Sequence, residues 1–337
     1  MTFEANTRPA PFAPRLPWFG GDLQTMRNFL VRPRIDLEPW PGKQITFDAP
    51  DGSGDRLIGT GHLPSMDALQ RPLVIIIHGL SGCEDGAHIR QSARTYLEAG
   101  YPVLRFNMRG AGPSRATCSG HYTAGASADL AAVLDQLDVA MPGVGDHGIV
   151  AVGFSLGANM LLKYLGESGQ AARLAAAVAV SPPIDLSATS AHFRLRRNLV
   201  YHKWLLAQIK AQTVEPGARV TEDERQAVAS ARDIWQYDDR FLAPRFGYDG
   251  AEDYYASCSA NRFLTGIARP TVVIHAADDP WIPPAMFRNF DWREAPNVTL
   301  ELTAAGGHVG FHGRGSPIPW HDRYGLAFFA RLDRISR

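Results

Sequence analysis

One serine of this chain stands in a G-x-S-x-G pentapeptide, residues 153–157, where it could act as a nucleophile. The apolar run 148–153 before Ser155 is typical of a buried strand, and residues 158–165 after it are typical of a helix that ends at Gly166. A serine at such a strand–helix junction is exposed on a tight turn that small neighbours permit. The alternative interpretation is that Ser155 only caps the helix.

A serine hydroxyl attacks well only when an oriented base takes its proton, and a carboxylate commonly orients that base. Where a nucleophilic serine lies on a strand–helix turn, the acid and then the histidine follow it along the chain. Asp278 and Asp279 come directly after a predicted strand, residues 271–275. Asp279 lies four residues before Pro283, in a D-x-x-I-P arrangement, and we prefer it as the acid. Asp278 is the alternative and is more typical of a turn.

The base is expected after the next predicted strand, residues 298–302. His308 follows it between glycines, which let the backbone present the ring toward the edge of the sheet. His312 and His321 are rival candidates without that flanking pattern. Ser155, Asp279 and His308 together have the chain order of a serine-nucleophile triad, which favours His308 as the base.

Acyl transfer also needs donors for a tetrahedral oxyanion. In this arrangement one backbone N–H comes from the residue after the nucleophile, Leu156, and another from the loop after an earlier strand. That loop, residues 78–82, reads HGLSG and indicates the N–H of Leu80. His78 is interpreted as a residue that stabilises the turn.

Other motifs predict neither a metal nor a cofactor. His308 and His312 are four residues apart, but a glycine-rich loop does not give two metal ligands on one helical face. His62 and Asp67 match an H-x4-D pattern used by some acyltransferases, which we interpret as coincidence. No G-x-G-x-x-G or Walker A motif follows a predicted strand, so no nucleotide is expected.

Short apolar strands alternate with helices through most of the chain, which predicts an α/β fold with a mainly parallel sheet. Residues 43–49 and 56–63 are predicted to form a β-hairpin ahead of it. The predicted strands of the sheet are 73–77, 102–106, 148–153, 174–180, 271–275 and 298–302, and the other predicted helices are 90–99, 127–139 and 320–332. Residues 1–40 are interpreted as an arm packed on the body, 41–184 and 247–337 as the core, and 185–246 as a helical cap inserted over the carboxyl edge of the sheet.

Within this insertion, Leu195, Leu199, His202, Leu205, Leu206 and Ile209 recur at helical spacing, which predicts one buried face. Residues 192–210 also contain aromatic and basic side chains. They could form a lid that meets interfaces or a cap helix with a solvated charged face, and we prefer the second interpretation.

The composition excludes several classes of protein. Among 337 residues, 34 Lys and Arg balance 34 Asp and Glu, so no long-range field attracts nucleic acid. The three cysteines, Cys83, Cys118 and Cys258, have no paired spacing, which indicates a reducing compartment. The first residues do not have the pattern of a signal peptide, and no apolar run could span a bilayer. We therefore expect a cytoplasmic protein; its oligomeric state is left open.

The chain resembles the α/β-hydrolases, and within them the YheT-like branch (AB hydrolase 4, embryogenesis-associated). The motifs that carry the resemblance span most of the chain: Asp22-Leu23-Gln24-Thr25, HGLSG at 78–82, Asn107-Met108-Arg109-Gly110, VGFSLGANMLLKYLGE at 152–167, Tyr237-Asp238-Asp239, Gly247-Tyr248, Asp253-Tyr254-Tyr255, HAADDP at 275–280 and GGHVGF at 306–311. The resemblance implies an α/β-hydrolase fold with a helical cap. It also implies triad positions for Ser155, Asp279 and His308.

The family is associated with carboxylester hydrolysis, with lipid esters in some eukaryotic members and acyl transfer to alcohols in others. We therefore expect a serine hydrolase that cleaves small-molecule carboxylic esters with a small to medium acyl chain, lipid-like esters included. The alternatives are an acyltransferase that makes esters from alcohols and a non-catalytic ligand-binding protein on the same scaffold.

Overall fold

The structure is a computed structural model and describes residues 10–64 and 70–335. Eight strands form one sheet in this part of the chain: β1 (Gly42–Asp48), β2 (Arg56–His62), β3 (Leu73–Ile77), β4 (Val103–Phe106), β5 (Ile149–Phe154), β6 (Ala176–Val180), β7 (Thr271–Ala276) and β8 (Val298–Thr303). Their order is β1-β2-β4-β3-β5-β6-β7-β8. β1 and β2 form the predicted antiparallel hairpin and β2 pairs antiparallel with β4, whereas every later pairing is parallel. The predicted α/β fold is therefore confirmed.

β3 explains why helices cover both faces of the sheet. Its five aliphatic side chains are all fully buried. Since alternate side chains of a strand point to opposite faces, they serve two core layers. Ile75 packs in the layer that contains Leu130 and Leu161, and Val74 packs in the layer that contains Ile89 and Phe329.

The helices lie on these two faces, at the start of the chain and between β6 and β7. They are α1 (Gly21–Val31), α2 (Ala87–Glu98), α3 (Ser127–Ala140), α4 (Leu156–Ser168), α5 (Leu186–Phe193), α6 (Leu199–Thr213), α7 (Glu222–Ser230), α8 (Ile234–Tyr237), α9 (Ala243–Arg245), α10 (Ala251–Cys258), α11 (Ala285–Asn289) and α12 (Trp320–Ile335). A π-helical turn, Asp238–Leu242, joins α8 to α9. In the described part of the chain, no helix combines the length and apolar character needed to cross a bilayer.

The predicted apolar stripe of the insertion is only partly correct. His202, Leu205, Leu206 and Ile209 are buried, but Leu195 and Leu199 are 49% and 45% exposed. Leu195 does not continue the buried face because α6 begins only at Leu199, after the short 3-10 turn Arg196–Asn198. Leu199 is the first residue of α6, at the exposed end of that face.

Residues 12–15 pack against the C-terminal part of the core, whereas the carbonyls of Ile35 and Trp40 contact Arg90 of α2 and His62 of β2. Phe12 packs edge-on against Phe311 with ring centroids 5.7 Å apart, and the Arg15 N–H donates to the carbonyl of His312 at 3.2 Å. Residues 1–9 of the predicted arm are outside the described residues, and the division into arm, core and cap stays a prediction.

Candidate active site

Ser155 occupies the turn between β5 and α4 with φ of 51° and ψ of −121°. A positive φ is unfavourable for a residue with a side chain, so the surrounding structure must hold it there. The Ser155 N–H donates to the carbonyl of Val180 on the neighbouring strand at 2.9 Å, and the Ser155 carbonyl accepts the N–H of Ala158 at 2.9 Å. The turn presents the hydroxyl to a cavity at the carboxyl edge of the sheet.

The glycines on either side of Ser155 are required by close contacts. A Cβ on Gly157 would lie 2.2 Å from the carbonyl oxygen of His78, and one on Gly153 would lie 2.7 Å from Cα of Ala158. Both distances are far shorter than van der Waals contact allows. The G-x-S-x-G pattern therefore allows β5, α4 and the loop after β3 to approach one another closely.

The His308 ring lies between the serine and an aspartate. Its Nε2 is 3.0 Å from Oγ of Ser155, and its Nδ1 is 2.8 Å from Oδ2 of Asp279. With Asp279 ionised, Nδ1 carries the ring proton and Nε2 is left to accept the proton of the serine hydroxyl. The structure thus brings together the three residues that the sequence places in one triad.

Asp279 is buried, and several donors stabilise its charge. Its Oδ1 accepts the backbone N–H groups of Trp281 at 2.7 Å and Ile282 at 3.0 Å, and its Oδ2 faces His308. Burial by itself would raise the pKa of Asp279, but His308 and these donors outweigh it, so the pKa is lowered. The carboxylate therefore remains ionised beside the ring.

Asp278, the alternative acid, contacts the histidine loop and not the His308 ring. Its Oδ1 accepts the N–H of Gly307 at 2.9 Å, and burial raises its pKa. This contact joins the loop after β7 to the loop after β8, across 29 residues of sequence, and is not the local hydrogen bond of a turn-forming aspartate.

Helix α1 holds the backbone of the histidine loop. The His308 N–H donates to Oγ1 of Thr25 at 2.8 Å, and the Gln24 side chain accepts the N–H of His312 at 2.7 Å. The loop glycines allow this approach, since a Cβ on Gly307 would lie 2.4 Å from the carbonyl oxygen of Gly21. The glycines beside His308 therefore allow the loop to contact α1. The sequence alone does not indicate this reason for the glycines.

The family profile described as alpha/beta hydrolase fold matches residues 72–314, which include Ser155, Asp279 and His308. This chain belongs to the alpha/beta hydrolase fold family. It is 31% identical over 326 residues to the protein named Putative esterase YheT of Escherichia coli (strain K12), covering 93% of this chain and 91% of that protein. The expected membership of the YheT-like branch is therefore confirmed.

Other relatives are longer than this family member. The chain is 31% identical to Phospholipase ABHD3 of Mus musculus over 73% of its own length, but it spans only 60% of that protein. It is 29% identical to Embryogenesis-associated protein EMB8 of Picea glauca over 87% of its length and spans 65% of that relative.

Solved structures share the fold of this hydrolase family member. The esterase Pf2001 of Pyrococcus furiosus superimposes with a TM-score of 0.60 at 21% identity, over 88% of this chain and 96% of that one. Est1E of Butyrivibrio proteoclasticus gives a TM-score of 0.55 at 16% identity, over 88% and 99% of the two chains. At these identities the comparison concerns the fold alone.

The cavity beside Ser155 has a volume of about 450 Å³. Most of the surface that lines it is apolar, and Leu186, Phe193, Leu205 and Ile209 from the helices between β6 and β7 contribute to it. A cavity of this size and character suits a small apolar molecule with a few polar contacts.

Both residues proposed to supply oxyanion amides line this cavity. The Leu156 N–H is the first of α4, so no carbonyl within that helix can accept it. The Leu80 N–H donates to no backbone carbonyl among the described residues. Next to it, the Ser81 N–H donates to the Tyr122 hydroxyl at 2.8 Å, and that hydroxyl donates to Gln212 on α6 at 2.9 Å.

His78 is the buried turn residue that the sequence indicates. Its Nε2 accepts the N–H of Met108 at 3.1 Å, and its Nδ1 lies 2.8 Å from the carbonyl oxygen of Gly79. Burial lowers its pKa to about 4, so the ring is neutral at pH 7 and stabilises the loop that carries Leu80.

Trp281 is a site residue that the sequence analysis missed. Its ring stacks on the His308 ring with centroids 4.5 Å apart and planes 26° apart, on the wall of the cavity. It fixes the plane of the imidazole and covers one of its faces from solvent. Its position two residues after Asp279 is the only signal in the sequence.

The rival histidines do not reach Ser155. Neither ring nitrogen of His312 has a hydrogen-bond partner among the described residues, and burial lowers its pKa to about 2. His321 pairs with Asp322 at 3.0 Å on α12. His62 is buried against the Trp40 carbonyl at 2.7 Å, and its H-x4-D partner Asp67 lies outside the described residues.

No three His, Cys, Asp or Glu side chains are grouped as metal ligands within residues 10–64 and 70–335.

Proposed function

We propose that this chain hydrolyses carboxylic esters through Ser155, His308 and Asp279. The observation that carries the proposal is the hydrogen-bond chain from Asp279 Oδ2 to His308 Nδ1 (2.8 Å) and from His308 Nε2 to Ser155 Oγ (3.0 Å) at a largely apolar cavity. The esterase and lipase names among the relatives support the coarser statement that the chain is a carboxylic ester hydrolase.

In this mechanism, His308 Nε2 removes the hydroxyl proton as Ser155 Oγ attacks the carbonyl carbon of the ester. The N–H groups of Leu80 and Leu156 hold the oxyanion of the tetrahedral intermediate. His308 then gives its proton to the departing alcohol, which leaves an acyl group on Ser155. Water, deprotonated by His308, releases the acid and restores the serine. Asp279 keeps Nδ1 protonated and stabilises the imidazolium.

The cavity supports an acyl chain of small to medium length, because about 450 Å³ lies near the lower end of typical small-molecule sites. An alcohol could replace water in the last step, and a relative of Saccharomyces cerevisiae is named Medium-chain fatty acid ethyl ester synthase/esterase 2. Product analysis with added ethanol separates the two outcomes, since partition toward ethyl ester would favour transfer. The cytoplasmic location and the cap formed by residues 185–246 belong to the same proposal.

The test is intact-mass analysis after treatment with a fluorophosphonate, followed by rates on p-nitrophenyl esters of increasing chain length. The wild type should gain one adduct, and Ser155→Ala should gain none and lose at least about four orders of magnitude in kcat. A folded wild type that neither reacts with the probe nor turns over any ester, yet binds ligands, would indicate the non-catalytic alternative.

The two neighbouring aspartates give a matched pair of variants. Asp279→Asn should lower kcat by roughly 10⁴-fold, because the amide stabilises the wrong tautomer of His308. Asp278→Asn should stay within a few-fold of wild type, since its Oδ1 can still accept the N–H of Gly307. Equal losses in the two variants would contradict the assigned acid.

A further inference from the structure

Two neighbouring helices expose large apolar side chains on one continuous surface. We define the α1–α6 surface by eight residues that are 39% to 79% exposed: Leu23, Phe29, Leu30, Val31, Leu195, Leu199, Val200 and Trp204. Single exposed apolar residues are normal, but a contiguous group on a folded protein marks a surface that something covers.

Direct contacts join the two helices. The rings of Phe29 and Trp204 meet edge-on with centroids 5.1 Å apart. Asp22 on α1 accepts hydrogen bonds from Arg197 at 3.0 Å and from Tyr201 at 2.9 Å. The α1–α6 surface is therefore one surface and not two separate patches.

Helix α6 is apolar on two faces. Leu205, Leu206 and Ile209 are buried against the core, while Val200 on the opposite side is 79% exposed and Trp204 is 39% exposed. Exposed Val200 and Trp204 therefore make part of the outer face of α6 apolar, next to exposed Lys203 and Gln208.

The α1–α6 surface also adjoins the cavity. Asn28 and Phe29 of α1 and Trp204 and Gln208 of α6 line the same cavity as Ser155. Whatever covers this surface therefore lies next to the cavity that holds the serine.

Four exposed cations are sequence neighbours of these apolar residues: Arg32 follows Val31, Arg194 and Arg196 flank Leu195, and Lys203 precedes Trp204. In the described part of the chain, none of the four forms an ion pair. Asp22, the acid of α1, is itself paired with Arg197. The α1–α6 surface therefore carries four cations without an ion pair, in a chain whose formal net charge is zero.

We propose that the α1–α6 surface docks on an anionic lipid membrane and delivers apolar esters from it to the cavity. Exposed Leu, Val, Phe and Trp enter the headgroup boundary, and the cations meet acidic lipids. A second copy of the chain fits less well, because a two-fold interface would bring the same cations together. Delivery of esters rests on the proposed function, whereas docking does not and is measured without turnover.

The test is co-flotation of the full chain with vesicles of phosphatidylcholine containing about a third phosphatidylglycerol. Val200→Glu should weaken binding at least about tenfold, because it removes an inserted side chain and adds repulsion. Val139→Glu on α3 is the matched control: Val139 is 86% exposed, lies outside the α1–α6 surface, and should bind as wild type does. Both sites are exposed, so both variants should keep the wild-type unfolding curve.

The charge contribution has its own variant. Arg196→Gln combined with Lys203→Gln should weaken binding to the anionic vesicles by about thirtyfold, from about 1 kcal/mol per cation. Pure phosphatidylcholine should bind wild type and this variant alike. Three results would overturn the proposal: no binding by wild type, equal binding by Val200→Glu and Val139→Glu, or a wild-type dimer that Val200→Glu makes monomeric without any vesicle binding.

Discussion

Replacing Thr25 with valine tests whether α1 positions the base of the proposed triad. Thr25 Oγ1 accepts the backbone N–H of His308 at 2.8 Å and donates to the carbonyl of Gly21 at 2.7 Å. Valine has nearly the shape of threonine but has no hydroxyl, so the packing is retained and the hydrogen bonds are lost. The His308 N–H, which is buried, then has no acceptor.

The size of the effect follows from that unpaired donor. Leaving a buried N–H unsatisfied costs about 1–3 kcal/mol, which the protein can reduce only by moving the loop. Movement of the loop would also relieve the strain at Val309, which is held at a positive φ of 58°. A displacement near 1 Å would lengthen the 3.0 Å contact to Ser155 and cost up to roughly a hundredfold in rate. We expect kcat to fall about ten- to a hundredfold, with KM nearly unchanged.

The assay is steady-state hydrolysis of a p-nitrophenyl ester together with urea unfolding. Thr25→Ser is the matched control, because serine keeps the hydroxyl that accepts the His308 N–H, and it should retain most of the activity. If Thr25→Val and Thr25→Ser have the same kcat, or if Thr25→Val loses stability while kcat stays at the wild-type value, α1 does not position the base.

Two further predictions concern residues around the cavity. Tyr122→Phe should lower kcat about tenfold, because the Ser81 N–H loses its acceptor beside the proposed oxyanion donors. Gln212→Leu is the control, because it breaks only the contact of Tyr122 with α6 and should keep a kcat near wild type. Equal rates in the two variants would contradict this reasoning. Burial raises the pKa of Asp238 from 3.8 to about 7, so ionising it opposes folding and stability falls as the pH rises between these values. Asp238→Asn should therefore stabilise the protein by up to about 4 kcal/mol at pH 8 and hardly at all near pH 4. Urea unfolding at pH 8 and at pH 4 measures both changes. A gain in stability that does not depend on pH would refute this explanation.

The elements of the sheet were predictable because their signals are local. β3 is a run of aliphatic residues flanked by turns, and its predicted bounds, residues 73–77, are those observed. Helix α2 was predicted to begin at residue 90 but begins at Ala87. The prediction missed the first turn because the capping residue is Gly86, which has no side chain to form a capping hydrogen bond and so gives no signal in the sequence. Local signals therefore indicate which elements exist better than where they begin.

The three residues proposed as the triad could be predicted from the sequence for the same reason. Ser155, Asp279 and His308 each follow a strand, and parallel strands bring such residues to one edge of the sheet. The contact between His308 and Thr25 joins residues 283 apart in the chain, and nothing near either residue announces it. The motif Asp22-Leu23-Gln24-Thr25 resembles the family, but only the fold shows that its last two residues bind the histidine loop.

The segment 192–210 shows why periodicity alone could not decide between the two interpretations given to it. Helical spacing of apolar residues indicates that one face is buried, and the buried Leu205 and Ile209 agree with that. Helical spacing does not indicate that the other face is polar and solvated, and Val200 and Trp204 place apolar side chains on that face as well. Both interpretations bury the inner face of the segment and differ over its outer face, which the cap interpretation leaves to solvent and the lid interpretation places against an interface. With Lys203 beside Val200 and Trp204, the outer face of α6 has the composition of a membrane-contacting surface. Vesicle binding therefore tests the lid interpretation at the outer face without disturbing the inner one.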